Sequence, residues 1–317
     1  MIQQLDDTPP PPSPLSGRDC LTLVEFSPEE AGLILEEAAK IKALQKSRIP
    51  YRPLRGRTLA MVFQKPSNRT RVSFEVGMYQ LGGHALHLLP QEIQMAKRET
   101  PSDTGRVLAR YIDAIMVRTF DHEEVEELAE AAEVPVINGL TDMHHPCQAL
   151  ADLLTVREEF DALEGVKISY IGDGNNVAHS LAIGCALTGA SLTIAHPEGH
   201  GPDPGVVKLA ESLDAAPTLT QDPHEAASGS RVVYTDVWAS MGQEDEAGER
   251  KEKFIPYQVN EELMHSAASD AIFLHCLPAH RGEEVTAEVI DGPQSRVFDQ
   301  AENRLHAQKA LLYLLLG

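Results

Sequence analysis

The sequence predicts an α/β protein built as two doubly wound parallel-sheet domains, and three observations carry that prediction. Short apolar runs alternate with helical patterns over most of the chain, as in strand–helix units that assemble into parallel sheets. At 317 residues the chain is long enough for two domains of ordinary size. The run HPCQALADLLTVREEF, residues 145–160, has a helical pattern and stands between two such halves, which puts a boundary near residue 150.

The elements follow in order. The opening MIQQLDDTPPPPSPLSG has four consecutive prolines and predicts a flexible or polyproline lead-in over residues 1–16. A first helix starts at SPEEAGLILEEAAKIKAL, with Ser27 as N-cap and Glu30 three residues on, the spacing of a capping box. Strand-like runs then occur at TLAMVF (58–63), HALHLL (84–89), AIMV (114–117) and VPVI (134–137), which complete a first domain over 17–150. The second domain, 151–300, carries KISYI (167–171), SLTIA (191–195), VVYT (232–235), AIFL (271–274) and RVF (296–298). A last helix runs from about Ala301 to residue 317 with no strand after it.

Composition excludes several function classes. With 27 Lys+Arg against 48 Asp+Glu the formal charge is −21, a surface that repels nucleic acid and anionic membrane. No apolar run approaches membrane-spanning length, and the N-terminus has neither the basic nor the apolar segment of a secretory signal. Cys20, Cys147, Cys185 and Cys276 show no C-x-x-C or Cys/His metal spacing, so reduced thiols in a cytoplasmic protein are expected.

In open α/β sheets ligands bind beyond the carboxyl ends of the strands. Seven such ends are dense in compact polar groups, which predicts one small-molecule site shared by the two domains. After 58–63 come Lys65, Ser67, Asn68, Arg69 and Thr70, with Pro66 fixing the backbone before a helix whose apolar positions are Val72, Val76 and Tyr79. The free N–H groups and dipole of that helix start favour an anion, and Ser67, Thr70 and Arg69 suit a phosphate. An ordinary capped surface helix is the plain alternative, and the chain has no G-x-x-x-x-G-K-[ST] loop. Arg118 follows 114–117, and NGLTDMHHPCQ after 134–137 offers His145 and Gln148 around Pro146. GDGNNVAHS after 167–171 has Gly172 and Gly174 but Val177 where a dinucleotide fingerprint needs its third glycine. Either a tight turn or a pair of amides, Asn175 and Asn176, facing a polar ligand accounts for it. DVWASMG supplies Asp236, Ser240 and Met241 ahead of an acidic loop, and HCLP supplies His275, Cys276 and Leu277. A buried, inert Cys276 is the plain reading of that last motif.

Three separated segments, Ser67-Asn68-Arg69-Thr70-Arg71, His145-Pro146-Cys147-Gln148 and His275-Cys276-Leu277-Pro278, resemble the signatures of the aspartate/ornithine carbamoyltransferase family. The resemblance runs from about Gly17 to the C-terminus, and GDGNNVAHS and DVWASMG are similar to the ornithine branch. It implies two α/β domains joined by interdomain helices, with the C-terminal helix returning to the first domain. The first domain would bind carbamoyl phosphate and the second ornithine, in a homotrimer or a multiple of trimers, with no metal, no cofactor, no nucleic acid and no membrane. By motif, carbamoyl phosphate would meet Ser67, Asn68, Arg69, Thr70, Arg118, His145, Gln148, Cys276, Leu277 and Arg304, and Gln94 would reach an adjacent subunit's site. Asn176, Asp236, Ser240 and Met241 would bind ornithine, and Cys276, Arg118, His145 and Asp236 would carry the catalysis. Asn68 departs from the family pattern, which has Thr there.

The implied reaction moves the carbamoyl group of carbamoyl phosphate to the δ-amine of L-ornithine, giving L-citrulline and phosphate, in arginine biosynthesis or degradation. Putrescine or N-acetylornithine is the alternative acceptor. Aspartate would call for basic residues that DVWASMG lacks, and a nucleotide-dependent dehydrogenase would call for the missing glycine.

Overall fold

The computed structural model describes residues 13–89, 99–239 and 247–317. The chain divides into two compact units, one of residues 1–150 with 304–317 and the other of 151–303.

The first unit opens with Leu15 fully buried and the Gly17 N–H donating to Leu315 O at 3.0 Å. Order thus begins by residue 13, inside the stretch expected to be flexible. Helix α1, Pro28–Lys46, is capped as its sequence predicts: Ser27 Oγ accepts from the Glu30 N–H, and Glu30 accepts from the Ser27 N–H. Four parallel strands follow, β1 (Thr58–Phe63), β2 (His84–Leu88), β3 (Ala114–Arg118) and β4 (Val136–Leu140), in the order β2-β1-β3-β4. The central strands β1 and β3 are covered on both faces, which is why TLAMVF and AIMVR show no alternation. Strand β4 reaches three residues beyond VPVI. Asn138 is tolerated inside it because its amide donates to Leu21 O at 2.8 Å, and Gly139 because a Cβ there would lie 2.4 Å from Met116 Sδ.

Helix α2, Asn68–Leu81, corrects one expectation. Its buried face is Thr70, Phe74, Gly77, Met78 and Leu81, whereas Val72 and Tyr79 are 57% and 76% exposed. Both faces have helical spacing, and the one with Phe74, Met78 and Leu81 offers more apolar area to the core. Helices α3 (Pro101–Leu108) and α4 (His122–Ala131) pack beside this sheet. Helix α5 runs Pro146–Phe160.

In the second unit, β5 (Lys167–Ile171), β6 (Ser191–Ala195), β7 (Thr218–Thr220), β8 (Val232–Thr235) and β9 (Ile272–His275) are parallel in the order β7-β6-β5-β8-β9. Strand β7 has no counterpart in the sequence reading; Thr-Leu-Thr is too short and polar to form an apolar run. Between the strands lie α6 (Asn176–Thr188), α7 (Pro204–Ser212), α8 (Pro223–Ala227), α9 (Ala247–Phe254), α10 (Glu261–Ser266) and α11 (Ala287–Ile290).

The expected strand RVF is wrong. The chain touches the sheet edge once, where Phe273 N–H donates to Gln294 O and Arg296 N–H to Phe273 O. It then enters α12, Val297–Leu316, earlier than expected, because twenty residues without Gly or Pro favour a continuous helix. DQAENRLHAQ (299–308) therefore lies within this helix, with Gln300, Asn303, Arg304, His306 and Gln308 buried, and is not a strand end. No described helix is long and apolar enough to cross a membrane.

Each sheet reverses its winding once, between β1 and β3 and between β5 and β8. Strand carboxyl ends at such reversals leave a crevice for ligands. Ser27→Ala removes the α1 cap and is expected to cost about 1 kcal/mol of stability. Urea unfolding with an unchanged midpoint would contradict that role.

Candidate active site

At the reversal of the first sheet, Phe63 and Arg118 stand side by side at the ends of β1 and β3. Chain leaving β1 turns into α2, where Ser67 is the N-cap with extended backbone and its Oγ accepts from the Thr70 N–H at 3.2 Å. The Ser67 hydroxyl in turn lies 3.2 Å from Thr70 Oγ1, which also accepts from Arg304 Nη2 at 2.9 Å. Thr70 is fully buried, and Arg118 and Arg304 are 6% and 4% exposed, whereas Asn68 and Arg69 face solvent. Asn68 occupies the first helical position, so the capping that its amide could offer is supplied by Ser67 instead. Lys65 does not join this cluster: its ammonium pairs with Asp142 and lies 4.4 Å from the Phe120 ring centroid.

His145 and Gln148, both almost fully buried, begin α5, and His145 O accepts the Gln148 N–H at 3.0 Å. Burial above all, and then the charges of Arg304, Arg118 and Arg69, hold the His145 imidazole well below its usual range. Three guanidinium groups thus act on one neutral ring at a helix start, an arrangement that receives a polyanion and offers neutral donors to an oxygen developing charge. Cys147 is a buried thiol, pushed up to about 12 chiefly by burial, and its Sγ lies 3.5 Å from Asn138 O.

At the reversal of the second sheet, Asp236 follows β8 and is 7% exposed. Its Oδ2 accepts from the Asn175 amide at 2.8 Å, and its Oδ1 accepts from the Val237 N–H at 2.8 Å and from Cys276 Sγ at 2.9 Å. Cys276 is half-buried, so the inert-cysteine reading gives way to a thiol held against a carboxylate. Asn175 is committed twice: its carbonyl caps α6 by accepting from Val177 and Ala178, and its amide holds Asp236. Asn176, the other amide expected to face a ligand, holds the first position of α6. The glycines of GDGNN serve the turn: Gly172 has φ 136°, and a Cβ on Gly174 would lie 2.1 Å from the Pro202 nitrogen.

Leu277 has φ 58°, a left-handed conformation that costs a leucine about 1 kcal/mol or more. His275 holds it: Nδ1 accepts the Leu277 N–H at 2.8 Å, and Nε2 lies 3.2 Å from the buried Glu284 carboxylate. The His275 N–H donates to Gln300 Oε1, and Gln300 donates to Asp152. Asp236, His275 and Cys276 have ligand atoms within 4.8 Å of one another, but both ring nitrogens of His275 are already engaged, which does not suit a metal.

Sequence reasoning missed Arg250, which lay in what looked like a solvated acidic loop. In α9 it is 7% exposed, pairs with Asp173 at 2.6 Å and donates from Nε to Trp238 O at 2.6 Å. Burial raises Asp173 to about 6, with Arg250 opposing. The available signal was Arg250 and Phe254 at i,i+4, a cation–ring pair of 5.2 Å. Glu284 and Gln300 carried no comparable signal. Gln94, Ser240 and Met241 lie outside the described residues.

Comparisons with known proteins agree with this geometry. The description "Aspartate/ornithine carbamoyltransferase, carbamoyl-P binding domain" matches residues 18–158, and "Aspartate/ornithine carbamoyltransferase, Asp/Orn binding domain" matches 164–315. The ornithine carbamoyltransferase of Thermococcus kodakarensis is 58% identical over 307 residues, 96% of this chain and 98% of that one. An ornithine carbamoyltransferase of Pyrococcus furiosus described as anabolic is 57% identical over 96% of this chain and 98% of its own length. The solved structure of an ornithine carbamoyltransferase from Pyrococcus furiosus has a TM-score of 0.93 at 56% identity, covering 96% of this chain and 98% of that one. The chain belongs to the aspartate/ornithine carbamoyltransferase family.

Proposed function

We propose that this chain is an ornithine carbamoyltransferase that moves the carbamoyl group of carbamoyl phosphate to the δ-amine of L-ornithine, giving L-citrulline and phosphate. The observation that carries this reading is the convergence of Arg304, Arg118 and Arg69 on the buried His145, between the start of α2 and the start of α5, where burial and those charges disfavour the imidazolium. The phosphate takes the exposed Arg69, the α2 N-terminus and the Thr70–Arg304 pair, with Ser67 and Asn68 beside them. The carbamoyl group takes His145, Gln148 and Arg118, which supply neutral and cationic donors for the tetrahedral oxyanion. Cys276 and the Leu277 corner face both substrates.

The acceptor amine must be deprotonated to attack, and an ordinary alkyl amine keeps its proton to a pKa of about 10.4. The Asp236 carboxylate, already oriented by Asn175 and Val237, holds the cationic end of ornithine beside the Cys276 thiol. Asn176 takes the α-carboxylate. Ornithine that has released one δ-ammonium proton to solvent attacks the carbamoyl carbon. The C–O bond to phosphate breaks as the N–C bond forms, and the second amine proton leaves with the phosphate, while Cys276 keeps its S–H on Asp236. The family motif assigns Ser240 and Met241 to the acceptor and Gln94 to a neighbouring subunit's site, all three outside the described residues. The protein is read as a cytoplasmic homotrimer or larger assembly, and the solvent-facing Val72 of α2 and Leu86 of the edge strand β2 are apolar surface that self-association would cover. The anabolic relative supports a biosynthetic direction.

Three measurements test the proposal. With carbamoyl phosphate and a panel of ornithine, putrescine, N-acetylornithine and aspartate, carbamoylation is expected with ornithine; turnover of another amine without ornithine overturns the assignment. Arg69→Ala is expected to weaken carbamoyl phosphate binding about 10- to 100-fold, the loss of one charged hydrogen-bonding partner, with the fold intact. Near-normal affinity would remove Arg69 from the cradle. In the free protein the His145 imidazole is expected to stay neutral by NMR at pH 6. The unfolded chain takes up that proton below about pH 6.5 and the folded site refuses it, so His145 costs stability as the pH falls. An imidazolium signal at pH 6 would contradict the geometry.

A further inference from the structure

A second basic site lies in the first unit, away from the cradle. A cavity of about 260 Å³ opens between the end of α1, the segment that follows it, α2 and α12. Lys309 of α12 lies in its wall and is only 4% exposed, with its stem lying over Gly77, where a Cβ would come within 3.2 Å of Lys309 Cγ. Its ammonium donates to two neutral carbonyls, Gln45 Oε1 and Gln80 Oε1, each at 2.9 Å. Arg48 and Arg52 stand at the solvent-exposed rim, Tyr51 and Tyr79 complete the polar wall, and no acidic residue lines the cavity. Burial and a side-chain hydrogen bond to Tyr313 keep Tyr51 protonated, so it adds no negative charge to the wall.

An ammonium taken out of water ordinarily finds a carboxylate. In a chain with 48 acidic residues Lys309 has amide oxygens instead, two of its three N–H donors are used, and two guanidinium groups stand nearby. Burial, with no opposing acid, lowers it to about 8. The cavity therefore carries positive charge that the protein itself leaves uncompensated, in a space large enough for a tetrahedral oxyanion and its water.

We propose that this cavity is a binding site for a phosphate-class oxyanion, separate from the cradle at the start of α2. Gln80 lies twelve residues beyond Asn68, about 18 Å along the helix axis, so the two sites do not share an anion. Helices α2 and α12 carry both sets of residues: Thr70 and Arg304 at the cradle, Gln80 and Lys309 at the cavity. An anion on Lys309 ties α1, α2 and α12 together and reports to the cradle through the same two helices.

Equilibrium binding of inorganic phosphate to the full chain tests this, with Lys309→Met keeping the apolar stem and Arg48→Gln/Arg52→Gln altering only the rim. The parent is expected to bind two phosphates per chain, and Lys309→Met and Arg69→Ala are each expected to lose a different one. The rim variant is expected to weaken the cavity site about tenfold, one charged contact's worth of affinity. Glycerol phosphate competing better than inorganic phosphate would identify an organic phosphate as the occupant and support the site. Succinate competing equally well, a single site in the parent that Arg69→Ala abolishes, or two sites surviving in folded Lys309→Met would overturn it. If Arg69→Ala left both sites intact while Lys309→Met lost one, the cradle assignment would fail and the cavity would stand.

Discussion

The arrangement in the first unit depends on holding like charges together near a helix start. Arg118 and Arg304 are almost fully buried, and Arg69 adds its charge from the surface. Desolvating cations costs several kcal/mol each unless partners offset it. Here Thr70 is one partner of Arg304, and His145 yields by giving up its proton. Placing the cluster at the sheet reversal, where β1 and β3 diverge, lets the backbone N–H groups of α2 add to the same field.

The second unit solves the opposite problem with one carboxylate. Asp236 accepts an amide, a backbone N–H and a thiol, so its oxygens are fixed before any amine arrives. Two latches flank it: Arg250 ties Trp238 to Asp173, and His275 holds the left-handed Leu277 and contacts Glu284 and the Gln300–Asp152 pair. Pre-set geometry of this kind lowers the reorganisation that the chemical step would otherwise require.

Much of this was legible in the sequence, and the failures have physical reasons. KISYI, SLTIA, VVYT and TLAMVF form strands at their expected bounds, because buried parallel strands need continuous apolar runs. The cap of α1 and the Cys276–Asp236 contact were likewise open to local pattern and motif. RVF failed because three apolar-looking residues cannot distinguish a strand from a helix start. The buried face of α2 was misassigned because two faces share one period. Asn175, Glu284 and Lys309 were out of reach because their roles come from partners 61, 9 and 229 residues away, which no hydrophobic pattern records.

The most direct test of the central claim is the crystal structure of the protein with phosphonoacetamide, a carbamoyl phosphate analogue that cannot transfer its carbonyl group. The predicted result is a phosphonate at the start of α2, within hydrogen-bonding distance of Arg69 and the Thr70 backbone, with the amide end towards His145. A complex in which the bound phosphonate leaves that position empty would contradict the account.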